Sequence, residues 1–198
     1  MSDHGPAAGD VVPEHASLVR AFANTLDVDE GTDELADVAR LRAWLVSARL
    51  LAPDAAADEA DLALARDVRS GLRAALVGHG EAAHGPVDPA DAARAVARLD
   101  GLAARLPLHV AFTTGSPRLV AGGDGVRAAL AQVLVAAARS GADGSWQRLK
   151  ICPDDSCSWA FYDESRNRSR AWCGTGCANK NKVRAYRSRR RAADAAAR

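Results

Sequence analysis

Four cysteines are the residues best placed to do chemistry in this chain: Cys152, Cys157, Cys173 and Cys177, the only ones it has. They form two close pairs, C-x4-C and C-x3-C, with fifteen residues between them. Thiolates are soft ligands, and four of them converging at about 2.3 Å satisfy one tetrahedral zinc. Four thiolates also fill the shell and leave no position for a reacting water. The expected ion is therefore one structural Zn²⁺, and no enzyme is expected.

The second pair opens into a basic stretch, 180–191. Placed on a helix, Lys180, Arg184, Arg187 and Arg191 fall at i, i+4, i+7 and i+11 and make one stripe, with Lys182 and Arg189 beside it. Val183 and Tyr186 are expected to pack toward the metal. Such a helix neutralises phosphates, and Arg and Asn are the types that read base edges in pairs of hydrogen bonds. The candidate nucleic-acid contacts are Arg166, Arg168, Arg170, Asn179, Lys180, Lys182, Arg184, Arg187 and Arg191.

Charge separates this region from the rest. Residues 146–198 hold 13 Lys and Arg against 5 Asp and Glu, a net of +8, and residues 1–145 carry a net of −7. A basic tail on an acidic body suits a polyanion, and equally a contact with the body or with a second copy. The chain has no apolar run long enough to span a membrane. Residues 1–13 are Gly-, Ala- and Asp-rich, are expected to be disordered, and lack the pattern of a signal peptide. A reducing cytoplasm is the expected setting, where paired cysteines bind metal rather than each other.

Apolar spacing predicts helices over 14–26, 34–51, 59–77, 89–106 and 126–139. Pro53 stops the second, and Asp88-Pro89 supplies the N-cap and first position of the fourth. Between the last two, Leu108, Val110 and Phe112 alternate with His109 and Ala111, a strand pattern, and 118–121 returns as its partner. The Gly122-Gly123-Asp124-Gly125 cluster lacks the spacing of a phosphate loop. His79 to Pro86 is expected to be a loop and 142–145 a linker. His4, His15, His79 and His84 read as surface or loop histidines and His109 as structural.

In the C-terminal part, 152–157 reads as a tight knuckle and 158–163 as a strand carrying Trp159 and Phe161. Residues 165–169 read as the hairpin tip, 171–172 as the return, and a helix runs from 178. The fold class is α+β, mainly α: a helical domain over 14–145 with a small hairpin, then a treble-clef-like finger over 146–198 ending in a basic helix.

The stretch Arg148-Leu149-Lys150-x-Cys152, Cys157-x-Trp159-x-Phe161-x-Asp163-x-Ser165, Arg170-x-Trp172-Cys173 and Cys177-x-Asn179 resembles the CGNR-type zinc finger of bacterial proteins. Upstream, Phe22-Ala23-Asn24-Thr25 and Leu41-x-x-Trp44-Leu45 resemble the ABATE domain that precedes that finger. The resemblance implies a DNA-binding, stress-induced transcription regulator. Asn24 and Thr25 read as an ordinary helix end and Trp44 as core; the alternative, from polar residues on an apolar edge that match the family, is that Asn24, Thr25 and Trp44 line a small-molecule pocket in the body. Two positions depart from the pattern. Cys177-Ala178-Asn179-Lys180 stands for Cys-Gly-Asn-Arg, so the charge stays but the bidentate fork of Arg is lost. The last two cysteines are separated by three residues where the family commonly has four.

Duplex DNA is the expected partner, with a small ligand for the body and a homodimer as further candidates. A finger acting as a protein-interaction or dimerisation module is the alternative. RNA binding is another, provided Trp159, Phe161 or Tyr186 is open for stacking.

Overall fold

The structure, a computed structural model, describes residues 12–77, 79, 88–112 and 115–196. The expected disorder of 1–13 and the loop at 79–86 fall largely outside that range. Within it the chain is mainly helical, with three small antiparallel hairpins.

The first helix, α1 (Glu14–Ala23), buries Ala16, Val19, Phe22 and Ala23. It stops short of the expected Leu26 because the Thr25 hydroxyl donates back to the Phe22 carbonyl at 2.8 Å. The chain then forms a minimal hairpin, β1 (Leu26–Asp27) with β2 (Thr32–Asp33). Its turn is set by Asp27, whose carboxylate accepts from the backbone N–H of Asp29 and Glu30, and by Gly31 at φ 65°.

Helix α2 (Val38–Ser47) starts later than the apolar spacing predicts. Residues 33–37 use side-chain acceptors instead: Asp33 takes the Leu35 N–H and Asp37 caps Arg40 N–H at 2.8 Å. Leu35 is still fully buried, so its place in the apolar series was real although its helix was not.

Helix α3 (Glu59–Val77) matches its expected span. Asp58 and Asp61 cap each other's backbone N–H, a reciprocal box at its start. Helix α4 (Pro89–Ala103) begins as expected, with the Asp88 carboxylate accepting from Ala90 N–H at 2.7 Å. The two helices approach closely at Gly71, where a Cβ would lie 2.5 Å from Leu99 Cβ.

The expected hairpin forms as β3 (Leu108–Ala111) and β4 (Arg118–Ala121), pairing Leu108 with Ala121. Val110 and Phe112 are nonetheless exposed, 51 % and 74 %. Helix α5 (Gly125–Asp143) runs past the expected end at 139, since the buried Ser140 hydroxyl donates to the Ala136 carbonyl within the helix. Gly144, at φ 79°, ends it, so the expected linker at 142–145 is largely taken up by the helix and its cap, and a 3₁₀ turn, Ser145–Arg148, follows.

The C-terminal hairpin differs from the expected one. Strand β5 (Leu149–Ile151) pairs with β6 (Ala160–Tyr162), Leu149 opposite Tyr162 and Ile151 opposite Ala160. The knuckle is thus the hairpin's tip, and 165–172 is a loop that forms no return strand. Helix α6 (Thr175–Ala196) begins three residues before its expected start.

The main core lies between α1, α2, α3 and α5, around Phe22, Leu41, Leu45, Val68, Leu72 and Leu130. A second cluster joins body and finger: Ala16, Val19 and Leu76 pack with Leu149, Ala160 and Tyr162. Val12 packs against its edge.

Candidate metal centre and basic helix

The cysteine pairs are brought together by two local devices. The first is the turn over 152–157, in which the Asp154 carbonyl accepts from Cys157 N–H at 2.9 Å and Ser158 N–H at 3.0 Å. Ser158, at φ 51°, lets the chain double back into β6. The second is the start of α6, which places Cys177 in its first turn, beside Cys173 in the preceding loop.

All four sulfurs lie within 4.8 Å of one another. Cys157 and Cys173 are 3.5 Å apart at Sγ, and Cys173 and Cys177 are 3.7 Å apart. A tetrahedron of about 2.3 Å zinc–sulfur bonds has edges of about 3.8 Å. Cys152 and Cys157 are buried and the other two half-buried. Burial, with the Cys157 and Cys152 sulfurs beside it, pushes the Cys173 thiol well above its ordinary value, and burial pushes Cys177 up to about 12. Four crowded thiols resist ionisation unless a cation takes the charge, and a soft divalent ion supplies it. The residues therefore fit one structural zinc.

A zinc held by four thiolates carries a charge of about −2. The N-terminal end of α6 faces it with the positive pole of the helix dipole. Arg170 donates to the carbonyls of Trp172 and Cys173 and lies over the Phe161 ring, 5.4 Å from its centroid. From the body, Arg73 of α3 donates to Ser158 O and Ala23 O, both at 2.8 Å.

Asp154 joins the knuckle to α6, a part that its residue type and place in the sequence, those of a turn former, do not announce. Its side chain is fully buried. One oxygen accepts from Lys180 Nζ at 3.0 Å and the other from Asn181 Nδ2 at 2.5 Å, with Arg184 at 3.8 Å. Ser156 donates to it from both backbone and hydroxyl. Burial alone would raise its pKa; Ser156, Lys180 and Asn181 outweigh burial and hold the carboxyl far below the ordinary range. The contact clamps α6 onto the knuckle. Two of the residues expected to face a nucleic acid, Lys180 and Arg184, are engaged in it. Proximity to a basic helix was the available signal, but the pairing spans twenty-six residues.

A second buried pair orders the loop at 165–170. Lys150, at the centre of β5, meets Asp163 at 2.7 Å, both side chains all but inaccessible. Lys150 also donates to the carbonyls of Arg168 and Arg170, while Asp163 accepts from Ser165 and from Arg170 N–H. Arg166 and Arg168 are exposed on this loop. Arg170 is half-buried in the contacts already given.

Beyond Asn181, α6 is exposed around its whole circumference from Lys182 to Asp194. Lys182, Arg187 and Arg191 stand in solvent, as does Asn179 one turn earlier. Val183 and Tyr186, expected to pack on the metal knot, are 47 % and 58 % exposed. The Asp154 clamp turns Lys180, Asn181 and Arg184 toward the knot, which directs Val183 and Tyr186 elsewhere. Of the rings considered for stacking on RNA, Phe161 is buried under Arg170, Trp159 is half-buried against the cysteines, and Tyr186 is open.

The three body residues expected to share a pocket separate. Asn24 bonds the backbone of Ala160 in β6 in both directions. Trp44 is half-buried and rests on Phe22, ring centroids 5.3 Å apart. Both line a cleft of about 540 Å³ between body and finger, with Arg20, Glu34, Trp159 and Glu164. Thr25 is turned away from it into the interior, where its hydroxyl accepts from Arg69 at 3.1 Å. Among the histidines, His15 pairs with Asp143 at 2.7 Å, and His79 sits edge-on to Trp146 with Nδ1 2.9 Å from Leu149 O.

Among the described residues no helix is long and apolar enough to cross a membrane. No curated protein matches the chain. Comparison with protein families matches residues 148–190 to the CGNR zinc finger. Residues 16–144 match ABATE, described as "Putative stress-induced transcription regulator". Body, four-thiolate knot and basic helix thus follow in the order of those two families, neither of them an enzyme type, and the chain belongs to the ABATE family, with a CGNR zinc finger at its C-terminal end.

Proposed function

We propose that the chain is a zinc-dependent, DNA-binding transcriptional regulator of the reducing cytoplasm, with the finger making the contact. One observation carries this reading. Helix α6 leaves the metal knot with seven Lys and Arg against the single acid Asp194, and stands in solvent from Lys182 onward. A major groove admits a helix of this kind, and its cations release counterions from the backbone.

The body's part is to bind a small ligand. The cleft between body and finger supports this, since it combines two tryptophans with the charged groups of Arg20, Glu34 and Glu164. A molecule held there touches both modules, as a sensor requires.

The test is binding of metal-loaded protein to random-sequence duplexes across a salt series, beside Cys173→Ser. Affinity that falls as salt rises, and falls further in the variant, supports the reading. Undetectable binding at the lowest salt removes it. The alternative, a finger that joins protein chains, has the exposed Val183 and Tyr186 on its side. It predicts a salt-sensitive oligomer in sedimentation, without DNA affinity.

A further inference from the structure

We propose that duplex DNA meets α6 on the face carrying Asn179, Lys182, Tyr186, Arg189 and Arg190, opposite the stripe of Lys180 and Arg184. The inference rests on the DNA-binding reading above and names the surface that performs it.

Successive residues of a helix are rotated by about 100°. Cys177, Lys180, Asn181 and Arg184 therefore share one side. That side is occupied by the protein itself. Lys180, Asn181 and Arg184 converge on the buried Asp154 carboxylate, and Asn181 Nδ2 also donates to the Cys177 carbonyl at 3.0 Å. Lys180 and Arg184 keep 40 % and 56 % of their side chains in solvent, but a phosphate recruiting Lys180 would take a partner from a carboxylate that has no access to water, a costly exchange, and Arg184 would give up a longer contact of 3.8 Å.

The opposite side is open. Asn179, Lys182, Tyr186, Arg189 and Arg190 recur at i, i+3, i+7, i+10 and i+11, and all are exposed. Three cations there neutralise phosphates without abandoning an internal partner. Asn179 offers an amide for a base edge. Tyr186, 58 % exposed, offers a ring open to solvent. Groups that contact the backbone and groups able to read bases thus sit on one face, as groove recognition requires. The deep, narrow major groove of duplex RNA excludes a helix, so DNA is the partner this face fits.

Arg187 and Arg191 continue the clamped side beyond the knuckle and provide a charge-matched control. Full-length, metal-loaded protein is compared with K182A/R189A and with R187A/R191A, each of which removes two exposed cations. Anisotropy on a 30-base-pair mixed-sequence DNA duplex is measured across a salt series, and repeated on the RNA duplex of the same sequence. The expected result is at least a tenfold loss of DNA affinity for K182A/R189A. Its plot of log affinity against log salt should flatten by about 2, near 0.9 for each lost phosphate contact. R187A/R191A should lose less than threefold, and the RNA duplex should bind more weakly than the DNA. Equal losses in the two variants, a larger loss in R187A/R191A, or tighter binding of the RNA would overturn the assignment while leaving nucleic-acid binding standing. Failure of the unmodified protein to bind either duplex would instead remove the reading on which the assignment depends.

Discussion

Asn24 and Ala160 hold each other as two strands do. The Asn24 amide donates to the Ala160 carbonyl at 2.8 Å and accepts from its N–H at 2.7 Å. One side chain at the end of α1 thereby extends the finger's hairpin into the body, beside the shared cluster of Val19, Leu149 and Tyr162. Asn24→Ala removes both bonds and leaves the peptide of a buried residue unpaired. A loss of about 2 kcal/mol is expected, from two net hydrogen bonds of roughly 1 kcal/mol each. Asn24→Asp should cost more, since a carboxylate then faces the Ala160 carbonyl. Urea unfolding of the metal-loaded protein measures both, and a midpoint unchanged in Asn24→Ala would contradict the assignment.

Lys150 and Asp163 form a pair with both charges out of water. Lys150→Met keeps the length of the side chain and strands the carboxylate. Removing one partner of such a pair costs about 3–5 kcal/mol, and the Ser165 and Arg170 donors to Asp163 place the expected loss near the lower end, about 3 kcal/mol. The loop at 165–170 should open with it. Limited proteolysis checks this: cleavage after Arg166 or Arg168 should accelerate in the variant under conditions where the body remains folded.

In the body, Asp33 binds Arg69 through two contacts, 2.5 Å and 3.0 Å. The Arg69 guanidinium, acting against burial, lowers the carboxyl's pKa below its ordinary value. A depressed folded pKa contributes stability above the unfolded value, about 3.9, and loses it as pH falls through the folded one. The stability gap between the protein and Asp33→Asn should therefore be flat above about pH 5.5 and shrink below about pH 4. Metal release at acid pH affects both chains and cancels in the difference. Denaturant titrations at stepped pH would show this, and a gap that stays constant down to about pH 3 would rule the ion pair out as its source.

Two glycines one helix apart should respond in opposite senses to alanine. At Gly71 a Cβ would meet Leu99 Cβ at 2.5 Å and the Ala95 carbonyl at 3.1 Å, so α3 and α4 must move apart. Overpacking costs about 1–3 kcal/mol, more than the gain of up to about 1 kcal/mol from helix propensity. At Gly101 nothing lies within 4 Å, and Gly101→Ala should stabilise by up to about 1 kcal/mol. Thermal melts of the two variants give the comparison directly; the same sign for both would be the wrong result.

The parts of the fold legible in the sequence are those whose causes are local. Helix α3 carries its apolar stripe, and α4 its Asp88-Pro89 start. The cysteines announce the metal by count and spacing alone. What could not be read depends on partners far along the chain. Strand β5 is three residues long with a lysine at its centre, and Lys150 belongs inside only because Asp163 is there to meet it. Asp37 and Thr25 displace helix boundaries that apolar spacing draws too widely. The direction of α6 is the sharpest case. A helical wheel shows Lys180, Arg184, Arg187 and Arg191 as one stripe, and only the position of Asp154 reveals that the first two lean on a buried carboxylate while staying partly in solvent.

That clamp also makes α6 a lever. Held at the knuckle and exposed from Lys182 to Asp194, the helix from Lys182 to its end is a rod of about 22 Å at 1.5 Å per residue. A tilt of about ten degrees at the anchored end sweeps the far end through about 4 Å, comparable to the rise of one base pair. The hinge of the lever lies within a few residues of the four sulfurs, so the geometry of one metal ion sets where Arg189, Arg190 and Arg191 stand in space.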